Sequence, residues 1–282
     1  MLLVDANSIL ATMSFGLRGF IDKYPVGGIR NLLIGIIAIW DSRRTVGETV
    51  VVLGSQDVEW RTDLIPTYTP MRYRYASHKA EVAAQIALIP MLLPLIGVTC
   101  YVAHGDSHDG LYRILQNVES RNINIYSTRP TRHTWSRKAK FITVPILGLR
   151  KLLDPLVLPD KPRKKVTGET AALRWSMQGI KSLGIPKSGL SHIRIPKHMS
   201  HPSELGIPEN YRGIVTRNWK VISALYGFNT YKEPGTWHLG TIPTTTTFTE
   251  CMKEIGCDDL IFKYDNFVED AKQNLWKDIV CE

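Results

Sequence analysis

Cysteine is scarce and carries no pattern: Cys100, Cys251, Cys257 and Cys281 include no CxxC pair and have no histidine beside them at zinc spacing, which excludes a zinc module. Cys251 and Cys257 are expected simply to pack. The start of the chain, Met1-Leu2-Leu3-Val4-Asp5, lacks a basic segment followed by a long apolar one, so the expectation is a reducing, cytoplasmic setting without disulfides. No internal repeat of solenoid length is visible. One charge-free run, Val82 to Ala103, is about long enough to span a bilayer. Pro90, Pro94 and Gly97 interrupt that run, and Val98 to Val102 is β-rich. It therefore reads as a buried helix followed by a buried strand, with no membrane partner.

The chain has 282 residues, 44% hydrophobic and 22% charged, enough for a sizeable α/β core. Lysine and arginine number 35 against 26 acids, a formal charge of +9 that suits a polyanionic partner without specifying one. Leu2 to Asp5 reads as a short buried strand. Ile29, Leu32, Leu33, Ile36, Ile37 and Trp40 have the spacing of a core-facing helix. Further strands are expected at Thr49 to Leu53, Val98 to Val102, Asn122 to Tyr126 and Phe141 to Val144, with a helix near Leu111 to Val118. Alternating strands and helices predict a mostly parallel twisted sheet with helices on both faces.

Such sheets bind ligands beyond the carboxyl ends of their strands, so the loops beginning at Asp5, Gly54, Ala103 and Ser127 are the candidate site. A Pro-rich basic connector from Leu152 to Val166 divides an α/β core over residues 1–150 from a helical region over residues 151–282. That region opens with a helix around Thr170 to Lys181. Pro234 to Thr249, rich in Gly, Pro and Thr, reads as an exposed loop.

Four segments carry chemistry. The first is Val4-Asp5-Ala6-Asn7-Ser8, a strand ending in an acid. The second is the strand Val50 to Leu53 followed by Trp60-Arg61-Thr62-Asp63 and Tyr68, then Arg72, Arg74, His78 and Lys79. An arginine and a tyrosine one or two turns apart can meet a phosphate and stack on a base, with Arg72, Arg74 and Lys79 extending the positive surface; the same residues also suit a solvated helix face. The third is His104-Gly105-Asp106-Ser107-His108-Asp109, which fits either weak cation binding or helix capping by Asp106 or Ser107. The fourth is Ser127-Thr128-Arg129-Pro130-Thr131-Arg132.

Taken in this order, over nearly the whole chain, these segments resemble the phage-type flap endonucleases and 5′-to-3′ exonucleases, a family that includes phage enzymes named ribonuclease H. The resemblance implies a flap-endonuclease, PIN-like fold whose strand ends hold two divalent cations. It also marks departures. Ser55 stands where the family has a strand-end Asp, with Asp57 as a displaced substitute, and His108 stands at an acid position. Arg129 and Thr131 replace two more acids, and the family's later acidic segment falls near Gln178 to Leu183, which has no carboxylate. Ser182 to Gly189 is similar to the hairpin of a helix-hairpin-helix, where Lys187 would meet a phosphate.

The resemblance with its departures implies a degenerate member: a pseudo-nuclease that binds duplex or branched DNA or RNA through Arg61, Tyr68, Arg72, Arg74, Lys79, Arg129, Arg132 and Lys187, with no catalytic residue and no cofactor. One alternative keeps Asp5, Asp57, Asp106 and Asp109 as a reduced site, with Asp5, Asp106 and Asp109 ligating Mg²⁺ or Mn²⁺ for slow 5′-nuclease action. Another is a protein-interaction subunit of a phage assembly in an infected host, with Trp135, Trp219 or Trp237 as anchors.

Overall fold

In the computed structural model, the described residues are 1–13, 20–21, 24–25, 27–41, 48–55, 59–69, 76–118, 123–129, 140–143, 158–159, 168–190, 195, 199–230 and 234–275. The first strand, β1 (Leu2–Asp5), runs straight into α1 (Ala6–Met13). A small antiparallel pair follows, β2 (Phe20–Ile21) with β3 (Tyr24–Pro25), then α2 (Gly27–Asp41) and β4 (Thr49–Gly54). The short α3 (Glu59–Leu64) precedes the long α4 (Ala76–Leu92), β5 (Thr99–Ala103) and α5 (Ser107–Asn117). Three further strands are β6 (Asn124–Tyr126), β7 (Lys140–Thr143) and β8 (Leu158–Pro159). The remainder holds α6 (Glu169–Gln178), α7 (Glu209–Ile222), α8 (Ala224–Thr230), β9 (Thr236–His238), α9 (Thr245–Glu254) and α10 (Tyr264–Asn274).

The main sheet has the order β8-β7-β6-β1-β4-β5-β9. Its five inner strands are parallel, and β8 and β9 close the two edges antiparallel. The inner strands are apolar because helices cover both of their faces: β1 and β4 are buried at every position. On one face α1, α2, α4, α9 and α10 supply a core that includes Ile9, Leu33, Ile36, Val82, Phe248 and Phe267. On the other, Leu3, Val50, Val52 and Tyr101 pack against Leu111 and Ile114 of α5. A third cluster joins Ile65 and Tyr68 to α6, the following hairpin and α7.

Two sequence expectations change. The helix α4 continues past Pro90 to Leu92, because a proline this close to a helix end removes one hydrogen bond and leaves the earlier turns intact. The segment from Pro234 is not a free loop: Thr236, Trp237 and His238 pair with Val102, Tyr101 and Cys100, and Thr244 caps α9 by accepting a hydrogen bond from the Thr247 backbone N–H. Cys100, Cys251 and Cys257 are buried free thiols, whereas Cys281 lies outside the described residues. Among the described residues no helix is long and apolar enough to cross a membrane.

Candidate functional site

Parallel register sets the carboxyl ends of β1, β4, β5 and β6 side by side, so the loops that follow them converge. Asp5 is the last residue of β1 and fully buried. Asp106 caps α5, accepting a hydrogen bond from the His108 backbone N–H at 3.0 Å, and Asp109 lies in the first turn of the same helix. Asn7 ties the β1 and β4 ends together: its amide oxygen accepts from Gly54 N at 3.1 Å and its amide nitrogen donates to Gly54 O at 3.3 Å. Ser55 accepts from the Gly105 backbone N–H at 2.9 Å, which joins the β4 and β5 loops without a carboxylate.

The centre of this convergence is a guanidinium. Arg129, only 2% exposed, donates from Nη1 to Asp106 Oδ2 at 3.1 Å, from Nη2 to Asp106 Oδ1 at 2.8 Å and from Nε to Asp5 Oδ2 at 3.2 Å. Ser127 and Ser107 each donate a hydroxyl to Asp5, to Oδ2 and Oδ1 respectively, both at 2.8 Å. Tyr68 completes the shell, its hydroxyl donating to Asp106 Oδ2 at 3.3 Å. A second arginine, fully buried Arg61 on α3, grips Asp109 with two hydrogen bonds of 2.7 Å and donates from Nε to Val221 O at the end of α7. The Trp60 ring lies 4.2 Å from the Arg61 guanidinium carbon.

Ionisation follows from this geometry. Burial alone would lower both guanidinium pKa values, but the facing carboxylates more than offset it and hold Arg61 and Arg129 well above the ordinary arginine range. Asp106 resists burial in the same way, and Arg129, then Arg61, keep its carboxyl well below the usual range. Asp109 moves upward because burial outweighs the pull of Arg61. Burial, then the charges of Arg129 and Arg61, depress His108 far below a free imidazole; it is neutral and donates from Nε2 to Ile222 O at 3.2 Å.

As arranged, these residues do not fit a pair of divalent cations. Each carboxylate oxygen of Asp5, Asp106 and Asp109 accepts a hydrogen bond, and the space between Asp5 and Asp106 holds the Arg129 side chain. No group of three or more metal-ligating side chains stands ready among the described residues. Asp57 lies outside them, as do Arg72, Arg74, Arg132 and Trp135, and the Lys79 side chain is likewise undescribed.

Three residues that the sequence suggested for phosphate contact, Arg61, Tyr68 and Arg129, are interior, where each is hydrogen-bonded to a buried carboxylate. Lys187 stands exposed on the hairpin after α6. That hairpin is fixed by Asn218 of α7, whose amide nitrogen donates to Ser176 O at 2.9 Å and Pro186 O at 2.8 Å. Trp219 is buried, and Trp237 packs on Tyr101 with ring centroids 4.7 Å apart. Sequence reasoning left Ser127 and Asn218 without roles and saw in Ser107 only a cap. A hydroxyl or amide directly after an apolar strand or opposite a glycine turn is the available signal.

No family model matches the sequence, and no curated protein does. Among solved structures, the bacteriophage T5 D15 protein co-crystallised with metal ions superimposes with a TM-score of 0.50 at 12% identity, over 96% of this chain and 97% of that one. The fold is that of a flap endonuclease. The T5 D15 flap endonuclease in a pseudo-enzyme–product complex with DNA and metal ions aligns over 96% and 99% of the two chains, with a TM-score of 0.49 and 14% identity. A mutant T5 5′-exonuclease gives 0.42 and 12% over 96% and 98%. In this flap-endonuclease fold the buried arginines and acids sit at the carboxyl ends of the parallel strands, the position where open α/β sheets place their ligands.

Proposed function

We propose that the chain is a nucleic-acid-binding pseudo-nuclease: it keeps the flap-endonuclease scaffold to hold duplex or branched nucleic acid and does not hydrolyse it. The observation that carries this reading is the Arg129 guanidinium, hydrogen-bonded to both Asp5 and Asp106. Two-metal hydrolysis needs free carboxylate oxygens to hold cations about 4 Å apart, where they generate hydroxide and stabilise the leaving oxygen. An arginine at that point supplies positive charge but lowers no water pKa. Support for binding comes from the basic balance of the chain and from exposed Lys187 on a glycine-containing turn fixed by Asn218. Arg72, Arg74, Lys79 and Arg132 are assigned to the same partner.

The test is fluorescence anisotropy on labelled duplex and 5′-flap DNA and RNA at two salt concentrations, followed by incubation with Mg²⁺ or Mn²⁺. Binding that weakens steeply with salt, with the substrate left intact, is expected. The reading that keeps a slow nuclease draws on one observation, that Asp5 and Asp106 meet at one guanidinium, with Asp109 in the first turn of the helix that Asp106 caps. Metal-dependent product that disappears in Asp106→Ala would establish it and overturn the pseudo-nuclease.

A further inference from the structure

Helix α7 buries Val215, Asn218, Trp219 and Ile222 and turns its opposite face to solvent. Gly213, Thr216, Arg217 and Lys220 follow one another at helical spacing along that outer face, with exposed Arg212 beside them and Glu209 the acid at its start. Arg212, Gly213 and Arg217 are exposed, and Lys220 is half-buried with its ammonium 5.5 Å from the Tyr226 ring centroid.

Glycine is a poor choice inside an exposed helix, since alanine would hold the turn better. Among the described residues nothing requires it here. A side chain at Gly213 would meet no atom within 4 Å, and Gly213 is not among the glycines with positive φ. Its one physical effect is outward: the helix backbone can be approached more closely at that point, between flanking cations.

We infer that the outer face of α7 is a second nucleic-acid contact, in which a phosphate backbone lies against Gly213 and is held by Arg212, Arg217 and Lys220. From Arg212 to Lys220 the helix rises about 12 Å, and phosphates recur along each strand of a duplex about every 3.4 Å of axis, so the three cations span several phosphates. Charge complementarity selects the partner: three cations against Glu209 favour a polyanion, and the missing side chain favours a smooth backbone over a protruding protein side chain. This inference rests on the nucleic-acid-binding reading above and adds the outer face of α7 to the hairpin of Lys187.

The test measures duplex binding by the full-length protein over a salt series, alongside thermal unfolding. Gly213→Ala is expected to raise the unfolding midpoint by about 2 °C and yet weaken binding severalfold, a combination that a structural role for glycine would not give. Arg212→Gln with Arg217→Gln is expected to reduce the slope of log affinity against log salt by about one for each arginine removed. If Gly213→Ala stabilises the fold at unchanged affinity and the arginine variants keep the wild-type slope, the α7 contact is wrong; a reduced slope in Lys187→Gln would then leave the binding reading standing. A wild-type chain that fails to bind at low salt overturns both.

Discussion

At the scale of single residues the site is a set of charges that satisfy one another. Arg129 is the keystone, because its removal strands Asp5 and Asp106 in the interior. Arg129→Met, which keeps much of the volume and loses the charge, is expected to destabilise the fold by about 3–5 kcal/mol in urea unfolding. Adding Asp106→Asn should restore part of that loss, since one unpaired charge then disappears; strictly additive losses would show that the two groups do not interact.

His108 gives a pH dependence whose sign follows from its neutral, buried state. Its folded pKa lies far below the unfolded value, so only the unfolded chain takes up a proton as pH falls below about 6.5. Stability therefore declines with falling pH from that point, by at most about 1.4 kcal/mol per pH unit, and Asp106, also depressed, adds its own loss below about pH 4. His108→Gln should flatten the upper part of the curve in denaturant titrations at stepped pH. An unchanged curve would mean that the imidazole takes up its proton in the folded state as readily as in the unfolded one.

The acids at strand ends were legible in the sequence, because an apolar run that stops at Asp5 or just before Asp106 places a carboxylate where loops converge. The pairing of those acids was not. Arg61 and Asp109 are 48 positions apart and Arg129 and Asp5 are 124 apart, and a lone arginine in a loop looks solvated until the partner across the sheet is known.

At the scale of elements, packing around the ion pairs is as demanding as the pairs themselves. The helix α8 crosses α5 with Gly227 directly over the Arg61–Asp109 bridge, and a methyl group there would overlap the Asp109 carboxylate and come within 2.8 Å of Arg61 Nη2. Gly227→Ala is expected to destabilise by about 1–3 kcal/mol, although alanine is the better helix former, because α8 must back away from the bridge. A stabilised variant in thermal unfolding would contradict that placement.

The inner strands were readable as apolar runs, and α5 and α6 as helices. The edge strand β9 was missed for a definite reason. Gly235, which signals a loop in sequence, allows the chain to lie against β5: a side chain there would strike Val102 O and the Tyr101 ring, while its N–H donates to the Tyr101 hydroxyl at 2.7 Å. A glycine demanded by close approach and a glycine in a free loop have the same local sequence.

At the scale of the whole molecule, a parallel sheet brings four loops to one place, and the flap-endonuclease fold holds an internal cation there between Asp5 and Asp106. The helices α9 and α10, late in the chain, return to cover the face of the sheet begun by α1 and α2, so the scaffold is held from both ends of the sequence.

The most direct measurement is a Mn²⁺ titration of the wild-type protein followed by electron paramagnetic resonance of the free ion. With Arg129 seated between Asp5 and Asp106, free Mn²⁺ should track the total added, with no stoichiometric site tighter than the millimolar range. Two tightly bound Mn²⁺ per chain, lost together in Asp106→Asn, would contradict the guanidinium-filled site and return the protein to the working nucleases.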